Sequence, residues 1–182
     1  SQRNIVSNIN EIYKMDYTQN LKHKAVVMSV LPIYHTFELT VDNLGVIYCG
    51  ATVCINDKLE NIVANLRRFR PAVILVVPAI AEAFYKKVME GIGNGSAKTK
   101  ITLARRLSKA LLYFGIDARR LLFKSLLKKF GGRLTNVIVG GAALRKEVAS
   151  TFEDFGINMY QGYGLSEATP IISTNSLGKH NH

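Results

Sequence analysis

Short apolar runs alternate with amphipathic segments along most of this chain. Two continuous apolar runs, at 25–31 and 72–77, have the length and composition typical of strands buried on both faces. A third run covers 134–139, and shorter strands are predicted at 52–55 and 158–161. Between the strands, apolar residues recur every three or four positions, which predicts helices over 4–15, 38–48, 59–70, 80–89 and 145–155. This alternation predicts an α/β fold with a largely parallel sheet and flanking helices.

One stretch departs from the alternation because it is basic and almost free of acids. The chain has a formal net charge of +11, and ten of these charges lie between Lys98 and Arg133, where eleven basic residues accompany one acid, Asp117. Apolar residues recur there at helical spacing: Leu103, Leu107, Leu111 and Phe114, then Leu122, Leu126 and Phe130. The pattern predicts a basic helical insertion over about 97–132, set into a nearly neutral body.

Three interpretations of the basic insertion remain open at the level of sequence. Its helices could pack their apolar stripes on the body and leave their charges in water. They could instead contact an anionic membrane surface or a protein partner. Nucleic-acid binding is the weakest interpretation, because no stacking aromatics or known motif accompany the charge. We therefore expect no nucleic-acid partner.

Composition narrows the class of protein. The 182 residues are 48% hydrophobic, which excludes disorder as the global state and supplies a sizeable core. No apolar run approaches the roughly 18 to 20 residues that span a bilayer, and the first residues, SQRN, lack the apolar centre of a secretory signal. The two cysteines, Cys49 and Cys54, are too few for a disulfide framework. We expect reduced cysteines and a cytoplasmic location.

The most informative motif is the glycine-containing segment YQGYGLSEAT at 160–169. Gly162 and Gly164 permit close backbone approach and positive φ in a loop beyond the carboxyl end of a strand, where open α/β sheets bind ligands. Tyr163 could lie flat against a base. The alternative is an ordinary tight turn with Tyr163 in the core.

Two polar residues of the same motif could contact a phosphate or a metal ion. Ser166 could donate a hydrogen bond to a phosphate oxygen. Glu167 offers a hard oxygen ligand for Mg²⁺, which usually binds one or two carboxylates together with substrate phosphates. We read no other metal ligand in the sequence.

Two further segments lie beyond predicted strands. Gly140 and Gly141 follow the strand at 134–139, where they could let a ligand touch the backbone or simply turn the chain. His35, in LPIYHTFE, follows the strand at 25–31, and a lone His is more often structural than catalytic. No Ser-His-Asp order, nucleophile elbow or Walker A lysine loop is present in the sequence.

Together these segments resemble the AMP-forming adenylating enzymes, which include acyl-CoA synthetases, firefly luciferase and the adenylation domains of peptide synthetases. QGYGLSE is similar to the family's Y-G-x-T-E motif, GGAAL to its glycine-rich adenine-side motif, and LPIYHTFE to its L-P-x-x-H segment. SQRNIVSN resembles the stretch that follows the family's phosphate loop. FGGRLTNVIVGGAAL and the basic insertion before it look most like long-chain fatty acid–CoA ligases.

The resemblance implies a site for AMP. Gly162, Tyr163, Gly164 and Leu165 would wall the nucleotide, with Tyr163 against the base. Gly140, Gly141 and Ala142 would line the adenine and acyl side of the pocket.

The resemblance also implies roles for three polar side chains. Ser166, in place of the usual Thr, would contact the α-phosphate; Glu167 would bind Mg²⁺; and His35 would orient the reacting carboxylate or stabilise charge as the adenylate forms. The implied activity is adenylation of a fatty acid or other carboxylate by ATP, followed by transfer of the acyl group to coenzyme A.

Other parts of the family's site have no counterpart here. The phosphate loop with its Lys would precede Ser1, and the ribose-binding Asp, the hinge and the C-terminal domain with its Lys would follow His182. We therefore expect residues 1–182 to be the central part of the family's large N-terminal domain, without the C-terminal domain and inactive alone. A peripheral contact with the inner face of a membrane through the basic helices is a further expectation.

Overall fold

A computed structural model describes residues 1–15, 18, 25–93 and 96–175. Within these residues six strands form one sheet: β1 (Val26–Ser29), β2 (Thr52–Ile55), β3 (Val73–Val76), β4 (Asn136–Val139), β5 (Asn158–Gly164) and β6 (Ile171–Thr174). Their order across the sheet is β2-β1-β3-β4-β5-β6. The first five are parallel neighbours, and β6 runs antiparallel to β5.

Helices connect the strands. They are α1 (Gln2–Tyr13), α2 (a π-helix over Glu38–Gly45 continued by the α-helical turn Val46–Tyr48), α3 (Ile62–Phe69), α4 (Pro78–Ile92), α5 (Ser96–Tyr113), α6 (Arg119–Leu122), α7 (Lys124–Leu127) and α8 (Lys146–Asp154). Short 3₁₀ turns occupy Leu59–Asn61, Lys128–Phe130 and Ser166–Ala168.

The two central strands, β3 and β4, are buried along their whole length. Successive side chains of a strand point to opposite faces of the sheet, so each strand contributes side chains to two separate cores. In β3, Ile74 packs with α3, α4 and α8, whereas Leu75 packs with α1 and α2. The prediction of an α/β fold with a largely parallel sheet is confirmed.

The structure corrects two local expectations. Gly162 and Gly164 lie in the extended end of β5 rather than in a loop, and neither has a positive φ. Pairing with β6, which the sequence analysis did not predict, holds this segment as a strand. The helix expected over 38–48 is present, but its first eight residues form a π-helix.

The basic insertion is helical, but its first apolar stripe does not pack on the body. Leu103, Leu107 and Phe114 are exposed, whereas Ile101 and Ala104 of α5 pack against the core. Packing on the body, one of the three interpretations that the sequence left open, therefore does not hold for these three residues. Farther along, Leu126 and Phe130 are buried, as the spacing predicted.

The inward face of α5 is fixed by small side chains and by a carboxylate. Ser108 is buried, and Nε of Arg105 donates to Oδ2 of Asp154 in α8 at 2.8 Å, while Nζ of Lys109 lies 3.4 Å from Oδ1 of Asp154. Because this ion pair joins residues 49 positions apart, no local pattern could reveal which way the helix faces.

Arg120 has a structural role inside the insertion. Its guanidinium donates to the carbonyl oxygens of Leu134, Gly156 and Gly132 at 2.8, 3.1 and 3.0 Å. These bonds join the insertion to the loop that precedes β4 and to the turn that follows α8. A planar, permanently charged group with several donors suits this task better than an ammonium does.

Both cysteines are free, Cys49 buried and Cys54 partly so. Burial raises the pKa of each thiol, which disfavours the reactive thiolate. In the part of the chain that the structure describes, no helix combines the length and apolar character that crossing a bilayer requires.

Candidate functional site

A cleft of about 390 Å³ opens at the carboxyl ends of β1, β3, β4 and β5. Parallel strands present their carboxyl ends at one edge of the sheet, and ligands of open α/β sheets bind there. The cleft is lined by Leu31, Pro32, His35, Thr36, Phe37, Val77, Gly140, Gly141, Gly162, Tyr163, Gly164, Leu165, Ser166, Pro170 and Ile171. The fold thus brings His35, both glycines after β4 and the β5 motif to one place.

The loop after β1 presents His35 and Thr36. The backbone N–H of His35 donates to the carbonyl oxygen of Pro32 at 3.0 Å, which turns the chain into α2. Glu38 anchors the turn from below, where its Oε1 accepts hydrogen bonds from Oγ of Ser29 and from the backbone N–H of Leu31. His35 therefore lies exposed on a loop that is fixed at its base.

Gly140 and Phe37 meet at the floor of the cleft. A Cβ atom added at Gly140 would lie 2.8 Å from Cζ of the Phe37 ring. Only glycine lets the ring of Phe37 lie against the end of β4 in this way. Gly141, the next residue, has φ +89°, a conformation that glycine adopts without strain.

The β5 motif forms the opposite wall. Gly164 pairs with Ile171 of β6, and a Cβ atom at Gly164 would collide with the carbonyl oxygen of Pro170. The backbone N–H of Leu165 donates to the same oxygen at 2.9 Å. Close backbone approach thus explains Gly164, as the sequence predicted, although the backbone is extended there.

Tyr163 projects from this wall and is 61% exposed. The alternative interpretation, a ring buried in the core, is therefore wrong. Gly162, Tyr163 and Gly164 also border a second cavity, of about 510 Å³, which Ala142 and Gln161 line as well. Ala142 lies on this side and does not line the first cleft.

Ser166 and Glu167 follow the wall in a 3₁₀ turn. Oγ1 of Thr36 donates to Oγ of Ser166 at 3.3 Å, which joins the β1 loop to the β5 motif across the cleft. Glu167 is exposed and does not line either cavity. Its carboxylate is free for a ligand, since no ion pair holds it among the described residues.

Two carboxylates lie buried behind the β1 loop. Glu38 and Asp42 are both fully buried, and among the described residues no donor reaches either oxygen of Asp42. Burial raises the pKa of Asp42 well above its ordinary value of 3.8, and the charge of Glu38 raises it further. Burial also raises the pKa of Glu38. Ionisation of both carboxyl groups together is costly, because the two like charges would lie close together away from water.

The cleft combines apolar walls with a few polar groups at its rim. Its described lining includes the hydroxyls of Thr36, Ser166 and Tyr163 and one imidazole but no Lys, Arg, Asp or Glu. Within the described residues, no three His, Cys, Asp or Glu side chains gather as a metal site. A Mg²⁺ ion at Glu167 would therefore depend mainly on substrate phosphates and water for its other ligands, which is the usual arrangement for this ion.

Sequence reasoning missed several residues of the cleft, notably Thr36, Phe37, Val77, Pro170 and Ile171. Thr36 and Phe37 directly follow His35, and Val77 directly follows β3, so their positions after predicted strands were an available signal. Pro170 and Ile171 carried no such signal, because β6 was not predicted.

The sheet, the cleft at its carboxyl edge and the glycine-lined wall define an α/β domain with a candidate ligand-binding cleft. A family model described as AMP-binding enzyme matches residues 1–182. The chain belongs to the AMP-binding enzyme family.

Curated relatives are about a quarter identical to this chain over the aligned residues. Long-chain-fatty-acid–CoA ligase 2 of Schizosaccharomyces pombe is 26% identical over 177 residues, which cover 91% of this chain and 26% of the relative. Human long-chain-fatty-acid–CoA ligase 1 is 24% identical, with 93% of this chain and 25% of the relative covered. The chain thus spans about a quarter of the length of these proteins.

Solved structures share the fold. A long-chain-fatty-acid-CoA ligase from Archaeoglobus fulgidus superposes with a TM-score of 0.62 at 14% identity, covering 96% of this chain and 29% of that one. A malonyl-CoA ligase, solved as a ternary product complex with methylmalonyl-CoA and AMP bound, gives a TM-score of 0.63 at 14% identity and covers 100% of this chain and 32% of that one. Nearly all of this chain therefore has the fold of one part of these longer proteins.

Proposed function

We propose that this chain is the central part of the large N-terminal domain of an ATP-dependent, AMP-forming long-chain fatty acid–CoA ligase. One observation carries the proposal: the β1 loop, the glycines after β4 and the β5 motif converge on a single cleft at the carboxyl edge of the sheet. Membership of the AMP-binding enzyme family and similarity to long-chain-fatty-acid–CoA ligases support it. A cytoplasmic location is part of the same proposal.

In the first half-reaction a carboxylate oxygen attacks the α-phosphorus of ATP, and the bond to pyrophosphate breaks. The protein mainly positions the reactants and stabilises charge in such transfers. We assign Tyr163 to the base, with Gly162, Gly164 and Leu165 forming the wall beside AMP. Ser166 donates its hydroxyl hydrogen to an α-phosphate oxygen, and its bond with Thr36 positions that hydroxyl.

Glu167 is the residue we assign to Mg²⁺. The ion would neutralise phosphate charge during the transfer. Glu167 is exposed beside the cleft and outside any described ion pair, which suits this role. His35, on the opposite rim, would orient the carboxylate. The second half-reaction then transfers the acyl group to the sulfur of coenzyme A and releases AMP.

The apolar walls of the cleft support a fatty acyl substrate. Leu31, Phe37 and Val77 line the cleft and do not border the second cavity. We assign this cleft to the acyl group, and the second cavity, lined by Ala142 and Tyr163, to the nucleotide.

Neither half-reaction is expected of the 182 residues alone. Transfer from ATP requires cations near the phosphates, and the described linings of the cleft and of the second cavity contain no Lys or Arg. The family's phosphate-loop Lys and C-terminal Lys would have to come from sequence outside this chain.

The test is ATP–pyrophosphate exchange by the complete protein with carboxylates of about two to eighteen carbons. We expect exchange to be fastest with long chains, and Glu167→Ala to lower it about 100-fold or more with the fold intact by circular dichroism. The matched control is Glu60→Ala, an exposed acid outside the cleft, which should exchange normally. Near-normal exchange in Glu167→Ala would refute the Mg²⁺ assignment, and a preference for short acids would refute the long-chain one.

A further inference from the structure

The outer face of α5 carries an apolar stripe that the protein leaves in solvent. Leu103 is 66% exposed, Leu107 is 49% exposed and Phe114, at the end of the helix, is 76% exposed. Leu103 and Leu107 are one helical turn apart, and Phe114 follows two turns later. The stripe is therefore straight and about 16 Å long, at about 1.5 Å per residue.

The rotation of α5 that exposes this stripe is fixed by the body of the protein. Ile101 and Ala104 pack on the core, Ser108 is buried, and Arg105 is paired with Asp154. Turning the stripe inward would carry Arg105 outward, away from Asp154, and break the ion pair. The exposure of the stripe is thus built into the packing of the helix.

The charges around the stripe are of one sign. Helix α5 contains five basic residues and no acid. Asp154 balances Arg105 and Lys109 on the inner side, whereas Lys98, Lys100 and Arg106 have no ion-pair partner among the described residues. At about 100° per residue, Lys100 flanks the stripe on one side and Arg106 on the other.

We propose that this outer face of α5 docks on the surface of an anionic lipid bilayer. An apolar stripe flanked by Lys and Arg is the pattern of a helix that lies in the membrane interface, with its cationic groups reaching to the lipid phosphates. A second copy of the chain fits poorly, because two acid-free cationic helices repel each other. The proposal does not depend on the ligase assignment.

The first test measures sedimentation of the protein with vesicles of phosphatidylcholine alone or with about 30% phosphatidylglycerol. We expect binding to the anionic vesicles only, weakening as salt rises. The triple change Leu103→Ser, Leu107→Ser and Phe114→Ser should lower the partition coefficient about 100-fold or more, because each inserted side chain contributes separately. The matched control is Ile47→Ser, Ile55→Ser and Leu59→Ser, three exposed apolar residues elsewhere, and it should bind normally.

A charge variant tests the flanks of the stripe. Lys100→Gln with Arg106→Gln should weaken binding to anionic vesicles about 30-fold, as the loss of two cations near the surface predicts. Lys58→Gln with Lys146→Gln removes the same charge from exposed positions outside α5 and should have a much smaller effect. All changed side chains are exposed, so each variant should keep the circular dichroism of the native protein.

Fluorescence distinguishes insertion of the stripe into the bilayer from electrostatic adsorption of the protein to its surface. The chain contains no Trp, so Phe114→Trp introduces a single reporter. Its emission should shift to the blue with anionic vesicles and be quenched by brominated acyl chains, whereas Ile55→Trp should show neither change. The proposal is overturned if the emission of the Phe114→Trp variant stays unshifted, or if the apolar triple variant binds vesicles as well as the native protein does. It is also overturned if the stripe instead mediates self-association, or if the protein binds polyglutamate as strongly as it binds vesicles.

Discussion

At the scale of single residues, Gly140 and Gly164 set the shape of the cleft. Each is required by a neighbour rather than by its own backbone conformation, since neither has a positive φ. The ring of Phe37 occupies the space of a Cβ at Gly140, and the carbonyl oxygen of Pro170 occupies that space at Gly164. Gly162 differs, because the nearest atom to a Cβ there would be 3.8 Å away.

Gly140→Ala should lower the free energy of unfolding by about 1 to 3 kcal/mol, because the added methyl overpacks against Phe37. A second change, Phe37→Leu, should recover part of this loss, which urea unfolding of the single and double variants would measure. Gly162→Ala is the matched control and should change stability by less than about 0.5 kcal/mol. Equal stability of Gly140→Ala and the native chain would contradict the contact.

At the scale of elements, helix α2 is unusual because it contains two buried carboxyl groups. Its π-helical part contains Glu38, which anchors the β1 loop, and Asp42, whose oxygens reach no described donor. A carboxyl group whose pKa is raised in the folded state takes up protons on folding. Its contribution to stability is therefore present below its unfolded pKa and is lost as pH rises through the folded pKa.

Asp42→Asn should remove the loss of stability that the native chain shows as pH rises. The native chain should become less stable as pH rises above about 4, with a slope of at most about 1.4 kcal/mol per pH unit for each proton. The variant should show a flatter profile and be the more stable protein at about pH 8, as urea unfolding at several pH values would show. Glu60→Gln, at an exposed site, should keep the native profile; parallel profiles for all three proteins would count against the buried carboxylate pair.

The basic insertion divides into charges that hold structure and charges that face water. Arg120→Ala should cost about 2 to 3 kcal/mol of unfolding free energy, because three carbonyl oxygens lose a charged donor. Arg106→Ala removes the same charge from the exposed face of α5 and should cost less than about 0.5 kcal/mol. Similar costs for both, measured by urea unfolding, would show that the three bonds of Arg120 contribute little.

At the scale of the whole molecule, the sequence predicted what depends on local pattern. The buried strands β3 and β4 are continuous apolar runs, and parallel strands place their carboxyl ends together, so the segments around His35, Gly140 and Tyr163 were expected on one edge of the sheet. The strand β6 was not predicted because only its first two residues, Ile171 and Ile172, are apolar, which forms neither an apolar run nor an alternation. Its pairing with β5 is what makes Gly162 and Gly164 part of a strand.

Features that depend on contacts between residues far apart in sequence could not be predicted from local patterns. The outward rotation of α5 depends on Arg105 meeting Asp154, and the hydrophobic spacing alone favoured the opposite face. The bond between Thr36 and Ser166 joins residues 130 positions apart. The burial of Asp42 beside Glu38 likewise opposes the usual rule that unpaired acids are exposed.

Calorimetric titration of the complete protein with a non-hydrolysable acyl-adenylate that carries a sixteen-carbon chain tests the ligase assignment most directly. The assignment predicts binding to a single site, weakened about tenfold or more in Tyr163→Ala, because stacking of a base on an aromatic ring contributes about 1 to 3 kcal/mol. Tyr48→Ala, which removes another exposed tyrosine outside the cleft, should bind as the native protein does. No binding by the native protein, or equal affinity in Tyr163→Ala, would contradict the assignment of the cleft to the acyl chain and of the second cavity to AMP.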